Sequence, residues 1–282
     1  MHILFTRFPL KSAYGGAEVQ TLSLVEGLRK RGHDIAFLGS CPVLLDWMPE
    51  LHLKKYELHI GSPPVTMWGA VSFLWRQFFM KHKLIQTIKK SDINHFLPTV
   101  APPLACHGEL NESIHARGGV KTGQPTAILM LSLSEKILLT PWAVKRGMNV
   151  LWIEHDRIGH WLTKNPWLSR LRKMSTLVTT ICVSNLSKKM YIDLGWDPKR
   201  VIAIPNGIDE RRLNSDQSDT MTLPRDVFHI GCIARLTPDK GIDLLIEAVS
   251  HIPHVHLTIV GRGSDAHSLA TMIEDINTKA HE

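Results

Sequence analysis

Short apolar runs alternate along the chain with stretches in which apolar residues recur every three or four positions, the signature of strands alternating with helices. Residues 2–6 are apolar and strand-like, 17–31 carry a helical period through Val19, Leu22, Val25 and Leu28, and 35–38 are apolar again. Gly32, followed by His33 and Asp34, ends the helix where a residue without a Cβ is favoured, so a right-handed parallel crossover, a Rossmann-like βαβ unit, is expected. The rhythm resumes with a strand at 127–131, a helix at 134–146, a strand at 150–153, a basic helical piece at 168–173 and a strand at 178–183. Ser184 is placed to cap a helix at 186–194 that Gly195 closes, and a strand at 201–204 runs into Pro205-Asn206-Gly207. Between these blocks, 93–97 reads as a strand, while 98–123 is rich in Pro, Gly and polar residues without a sustained period and reads as a loop or insertion.

The polar stretch 214–222 then separates a second, shorter α/β series: strand 228–234, helix 242–250, strand 255–260, helix 269–276. The expected organisation is a Rossmann-like domain over 1–209, a linker over 210–222 and a partial Rossmann-like domain over 223–282. Two strands are too few for a doubly wound half whose sheet is covered on both faces, so the second domain is expected to be incomplete and the chain truncated.

Composition narrows the class. With 282 residues, 44% hydrophobic and 21% charged, the chain is globular, neither disordered nor a disulfide-stapled miniprotein. The four cysteines, at 41, 106, 182 and 232, are too scattered for a zinc knuckle or a redox CxxC pair and suit a reducing cytosol. No signal-peptide pattern opens the chain, and no apolar run approaches the roughly 20 residues that cross a bilayer. The expected location is therefore cytoplasmic.

The net charge of +7 belongs to the first part, where residues 1–209 hold 26 Lys and Arg against 15 Asp and Glu. No acid stands between Glu57 and Asp92, yet Arg76, Lys81, Lys83, Lys89 and Lys90 lie there among Trp68, Phe73, Trp75, Phe78 and Phe79. Two readings of 67–90 follow. One is an amphipathic helix covering a sheet. The other is a helix at an anionic membrane surface, or beside a lipid-linked acceptor, which would make the protein peripheral on the inner face of the cell membrane. No recognised nucleic-acid module accompanies the charge, so nucleic acid is not an expected partner.

Candidate chemistry collects where strands end. Gly15 and Gly16 stand between the first strand and its helix, where backbone N–H groups and a helix N-terminus favour an anion, although a tight turn would use the same pair. The spacing is not that of a dinucleotide fingerprint, and no acid ends the second strand, which disfavours an NAD dehydrogenase. Glu154-His155-Asp156 follow an apolar strand. His155 is the preferred active-site side chain, able to hydrogen-bond a hydroxyl or a developing charge, against the alternative of a packing residue. Arg235 and Lys240-Gly241 follow the first strand of the second series, two cations by a helix start that suit a diphosphate or are merely solvated. Gly261 and Gly263 flank Arg262 after the next strand and would let a ligand lie against backbone. His251, His254 and His256 lack a nearby carboxylate and read as solvated rather than as metal ligands.

In this order, Gly15-Gly16-Ala17-Glu18, Glu154-His155-Asp156, Val183-Ser184, Asn206-Gly207-Ile208-Asp209, Arg235 to Lys240-Gly241 and Val260-Gly261-Arg262-Gly263 make the chain resemble the GT-B-fold glycosyltransferases of family 4. The resemblance spans nearly the whole chain except 98–123. It implies retaining transfer of a sugar from a nucleotide diphosphate donor, without metal or other cofactor, to a glycan or lipid-linked acceptor. On that basis Arg235 and Lys240 neutralise the leaving diphosphate, and His155 binds the transferred sugar. Gly15 and Gly16 touch donor phosphate or sugar, and Gly241, Gly261 and Gly263 lie along the donor. One family motif, two glutamates separated by seven residues, stands further along in the family than this sequence extends, so part of the donor site is expected to be missing. The competing expectations are a non-catalytic fragment that binds an acceptor or membrane surface, and a sugar-nucleotide epimerase of the same architecture.

Overall fold

The computed structural model describes residues 1–8, 15–47, 53–60, 66–90, 126–155, 160–208 and 227–280. The expected strand at 93–97, the insertion at 98–123, the linker at 210–222, Asp156 and Asp209 lie outside the described residues. The chain divides into two compact units, Met1–Arg212 and Leu213–Glu282.

Among the described residues the first unit has seven strands: β1 (His2–Arg7), β2 (Asp34–Gly39), β3 (Lys54–Glu57), β4 (Thr126–Met130), β5 (Asn149–Glu154), β6 (Thr179–Cys182) and β7 (Val201–Ala203). They form one sheet in the order β3-β2-β1-β4-β5-β6-β7, with every neighbouring pair parallel. The central strands are apolar at successive positions because both faces are covered. Leu4, Ala36, Leu38, Ile128, Met130, Val150 and Trp152 point into one core, while Ile3, Phe5, Ile35, Phe37, Ala127, Leu129 and Ile153 point into the other.

Helix α1 (Gly16–Lys30) links β1 to β2 and packs Leu22 and Val25 into the second core. Between β2 and β4 come α2 (Pro42–Trp47) and α3 (Met67–Lys90). Helix α4 (Leu133–Lys145) links β4 to β5 and packs Ile137, Leu138, Leu139 and Ala143 into the first core, on the opposite face from α1. The short α5 (His160–Thr163) and α6 (Leu168–Ser175) precede β6, and α7 (Asn185–Asp193) precedes β7. Ser184 caps α7 as expected, its side chain accepting the Ser187 N–H at 3.0 Å.

Helix α3 packs one face on the sheet and leaves most of its aromatics exposed. Ala70, Phe73, Met80, Leu84 and Ile88 are buried in the first core, so the helix does cover the sheet. Of the five aromatics in this segment only Phe73 is buried; Trp68, Trp75, Phe78 and Phe79 face solvent.

The second unit pairs β8 (Phe228–Ile233) with β9 (Val255–Val260) in parallel, and adds α8 (Ile242–Ser250) and α9 (Ala266–Ala280). Its core is small: Ile242, Ile246 and Leu269 are buried, with Cys232, Leu257, Ile259 and Met272 among the side chains packed on them. Among the described residues, no helix is long and apolar enough to cross a membrane.

Candidate active site

In the first unit the strand order reverses between β1 and β4, and the helices that follow these strands leave on opposite faces. That arrangement opens a crevice outside the carboxyl ends of the two strands, the usual ligand position of an open parallel sheet. Gly15 and Gly16 stand at this edge. Gly15 is the N-cap of α1 with extended backbone (φ −156°), and no side chain caps the helix there. A Cβ at Gly16 would meet no atom within 4 Å, so the fold itself does not require glycine at this position. Among the described residues the start of α1 is therefore an open donor surface of backbone N–H groups.

Across the crevice α4 begins differently. Ser132 is its N-cap, and Glu135 reaches back to accept the N–H of Ser132 at 2.6 Å and that of Leu131 at 3.2 Å. Ser132 Oγ accepts the N–H of Phe8 at 3.3 Å, which ties the end of β1 to the start of α4. Glu135 is fully buried, and its Oε2 accepts no hydrogen bond among the described residues. Burial pushes its carboxyl up to about 7, outweighing the backbone N–H groups and the cations Lys136 and Arg7, which favour the ionised form.

Two further ion pairs flank Glu135. The Arg7 guanidinium, at the end of β1, bonds the buried Glu18 carboxylate in the first turn of α1. Lys136 Nζ, from α4, donates to Glu154 Oε1 at 2.8 Å and to the Ile153 carbonyl at 3.3 Å, so it ties α4 to the end of β5. His155 follows directly, half-buried. On β6, opposite Glu154, the Cys182 thiol is pushed up to about 12 by burial and by the Glu154 carboxylate, which favours its neutral form.

Of this cluster, sequence reasoning singles out His155 and the glycine pair and misses Arg7, Ser132, Glu135 and Lys136. The capping-box spacing from Ser132 to Glu135 is the available signal for two of them. Lys136 inside the apolar run of α4, and Arg7 at the end of an apolar strand, are signals for the others. An open groove of about 430 Å³ lies elsewhere in this unit, lined by α1 residues including Gln20, Ser23 and Gly27 together with Gly207 and Ile208. It contains none of these charged groups.

In the second unit the two expected cations meet on one carboxylate. Arg235 Nη2 lies 4.0 Å and Lys240 Nζ 3.5 Å from Asp239 Oδ2. Thr237 Oγ1 donates to Asp239 Oδ1 at 2.6 Å, and this bond, then the two cations, holds the Asp239 carboxyl below the usual range. Asp239 is not among the residues expected from the sequence. Its charge makes the group net single-positive at the approach to α8. Gly241 joins that turn to α8 with a left-handed backbone (φ 61°), which explains glycine there. Gly261 and Gly263 have a packing reason of their own, because a Cβ at either would run into the carbonyl oxygens of Ala234 and Leu236. His251 and His254 are exposed, and His256 stacks edge-on against His229 on the neighbouring strand. Among the described residues no group of three or more His, Cys, Asp and Glu is arranged to hold a metal ion.

No protein-family profile matches the chain. Two curated proteins are similar to about half of it. The gpi3 subunit of a phosphatidylinositol N-acetylglucosaminyltransferase from Schizosaccharomyces pombe is 30% identical over 135 residues, 45% of this chain and 29% of that protein. A phosphatidylinositol N-acetylglucosaminyltransferase subunit from Arabidopsis thaliana is 26% identical over 151 residues, 48% of this chain and 33% of that protein. Each match thus spans about a third of its relative's length. Among solved structures, a glycosyltransferase from Rickettsia africae superposes with TM-score 0.63 at 17% identity, over 99% of this chain and 65% of that one. Anabaena HepE in complex with UDP gives 0.61 at 16% identity, over 99% and 66%. A UDP-GlcNAc 2-epimerase from Methanocaldococcus jannaschii gives 0.51 at 12% identity, over 98% and 69%. At these identities the likeness concerns architecture, and the architecture is the α/β fold of GT-B glycosyltransferases.

Proposed function

We propose that the chain carries part of a retaining glycosyltransferase that moves a sugar, N-acetylglucosamine being the first to test, from a UDP donor to a lipid-linked acceptor on the cytoplasmic side of a membrane. The observation that carries this reading is the convergence of Arg235 and Lys240 on Asp239 at the approach to α8. A leaving nucleoside diphosphate gains negative charge as the glycosidic bond breaks, and two cations beside a helix start stabilise that charge without a metal ion. The two curated relatives, named as N-acetylglucosaminyltransferase subunits, support the sugar and the lipid acceptor. The UDP complex of HepE supports the nucleotide.

In this mechanism the acceptor hydroxyl attacks the anomeric carbon on the face the diphosphate leaves, and its proton passes to the departing phosphate oxygen. His155 holds the transferred sugar, and the uncapped start of α1 approaches donor phosphate or sugar through Gly15 and Gly16. Gly241, Gly261 and Gly263 lie along the donor. The Arg7–Glu18 and Lys136–Glu154 pairs hold the edge on which His155 stands.

The test is UDP binding by calorimetry, followed by transfer from radiolabelled UDP-GlcNAc to phosphatidylinositol. Lys240→Ala and Arg235→Ala should each lower turnover by a factor on the order of 100 to 1,000. Gly16→Ala should leave thermal stability unchanged or slightly raised, since alanine is the better helix former by up to about 1 kcal/mol, while UDP-sugar binding weakens. Absence of binding to any UDP, GDP or ADP sugar, together with indifference to Lys240→Ala, would end the proposal. The likeness to UDP-GlcNAc 2-epimerases favours one second reading, epimerisation of the donor sugar without an acceptor. Inversion at the sugar C2, followed by NMR in the absence of acceptor, would identify it.

A further inference from the structure

Helix α3 is apolar on two opposite sides, and among the described residues only one of them is packed in the core. Thr66 opens the helix, its hydroxyl oxygen accepting the Gly69 N–H at 3.0 Å. With an advance of about 100° per residue, Ala70, Phe73, Met80, Leu84 and Ile88 share one face, and that face is buried in the core. Phe73 meets the ring of Trp167 edge-on at 5.5 Å. The opposite arc carries Met67, Val71 and Leu74 together with four aromatics, Trp68 (83% exposed), Trp75 (80%), Phe78 (73%) and Phe79 (75%). Scattered surface apolar residues need no explanation, but a continuous aromatic arc over three turns of one helix marks an interaction surface.

The charges around the arc decide the partner. On the same helical wheel Arg76 and Lys83 border the aromatic arc on one side and Lys81 borders it on the other. Helix α3 contains no Asp or Glu, and none occurs in sequence between Glu57 and Asp92. A second copy docking by two-fold symmetry would bring these bases against their own equivalents with no acid on the helix to pair them, a repulsive arrangement. An anionic lipid surface supplies what is missing: acyl chains and carbonyls for the rings, phosphates for the flanking cations. Trp is the side chain that best occupies such a boundary, with an apolar body and one N–H donor. The helix is about 36 Å long at 1.5 Å per residue, but its bases and its buried face prevent it from spanning.

We propose that α3 docks the first unit on an anionic bilayer, lying in the interfacial plane with Trp68, Trp75, Phe78 and Phe79 inserted and Arg76, Lys81 and Lys83 at the headgroup phosphates. The topology gives this surface a position relative to the candidate site. Helix α3 follows β3 and so begins at the carboxyl edge of the sheet, the edge that carries Gly15, Gly16 and His155. The aromatics occupy the first half of the helix, toward that edge. A lipid-embedded molecule would therefore be presented on the side where the crevice opens. Lipid docking itself stands apart from the sugar-transfer reading and holds whether or not that reading does.

The experiment is cosedimentation of the full 282-residue chain with vesicles of phosphatidylcholine alone and of phosphatidylcholine mixed with phosphatidylglycerol. Sedimentation equilibrium without lipid gives the oligomeric state. Binding is expected to the mixed vesicles and to weaken with salt, and brominated acyl chains should quench tryptophan emission. The triple variant Arg76→Gln, Lys81→Gln, Lys83→Gln should bind roughly 100-fold more weakly. The pair Trp68→Ser and Trp75→Ser should lose both binding and most of the quenching. These side chains border solvent, so the variants keep the wild-type circular dichroism, and UDP binding serves as an independent control on the site. Absence of binding to the mixed vesicles, or variants that bind like wild type, would overturn the proposal. So would a dimer that Trp75→Ser dissociates while no vesicle binds, which would assign the arc to a second copy.

Discussion

Glu135 carries two opposing demands. Its position three residues after Ser132 makes it a backbone acceptor that favours the carboxylate, yet complete burial favours the acid and wins, raising the carboxyl to about 7. An acid whose folded pKa lies above its unfolded one binds an extra proton in the folded state between the two values. Its contribution to stability is thus fully present below about pH 4.5 and is lost as pH rises through about 7. Glu135→Gln keeps an amide oxygen for the Ser132 N–H and removes the titration. Urea unfolding should therefore show wild type losing stability relative to the variant between pH 5 and about 8, by roughly 3 kcal/mol at most. A difference independent of pH would mean that the buried carboxyl is not protonated in the folded protein.

Within α4 an interior proline sets up a comparable dependence between elements. Pro141 has no N–H to give the Ile137 carbonyl one turn earlier. Arg170, from α6, donates to that carbonyl with Nη2 at 3.4 Å while its guanidinium stacks on Trp167. Removing Arg170 should cost about 1 to 2 kcal/mol in the native sequence. It should cost less in a Pro141→Ala background, where the helix recovers its own donor, and equal costs in the two backgrounds would contradict the assignment. No periodicity could have announced this contact, because it repairs a backbone vacancy rather than extending a pattern. The same distinction separates the legible elements from the others. The central strands and their helices are plain because each buries a continuous apolar set, as in Leu4, Phe5, Ile128 and Trp152. Edge strand β3 reads Lys54-Lys55-Tyr56-Glu57 and is largely exposed, so it has no hydrophobic pattern to detect, and α2 spans only six residues. Among the candidate residues, those that follow strands, Gly15, Gly16, His155, Arg235 and Lys240, are nominated by position alone. Lys136 is hidden because it occupies a buried position within an otherwise apolar helix, where only the pairing with Glu154 explains a charge, while Glu135 shows itself only through its capping-box spacing from Ser132.

At the scale of the whole molecule the two units differ in how much holds each together. The first encloses its sheet between two cores that bury Phe5, Phe37 and Trp152 completely. The second, among the described residues, has two strands, a cluster of three buried side chains, and Phe228, Ile233 and Val260 of its own strands in solvent. A unit of this size removes a smaller share of its surface from water than a larger one, and its sheet shows part of its apolar surface besides. Opening free energy follows buried apolar contact, so the units should unfold separately. Hydrogen exchange read by mass spectrometry should find the amides of β8 and β9 opening at much lower free energy than those of β1 and β4. Calorimetry should show the smaller transition first. Saturating UDP, if it binds through Arg235 and Lys240, should raise the first transition and leave the second nearly unmoved, because only the state that holds the ligand is stabilised. A single transition with uniform protection across β1, β4, β8 and β9 would show instead that the two units fold as one.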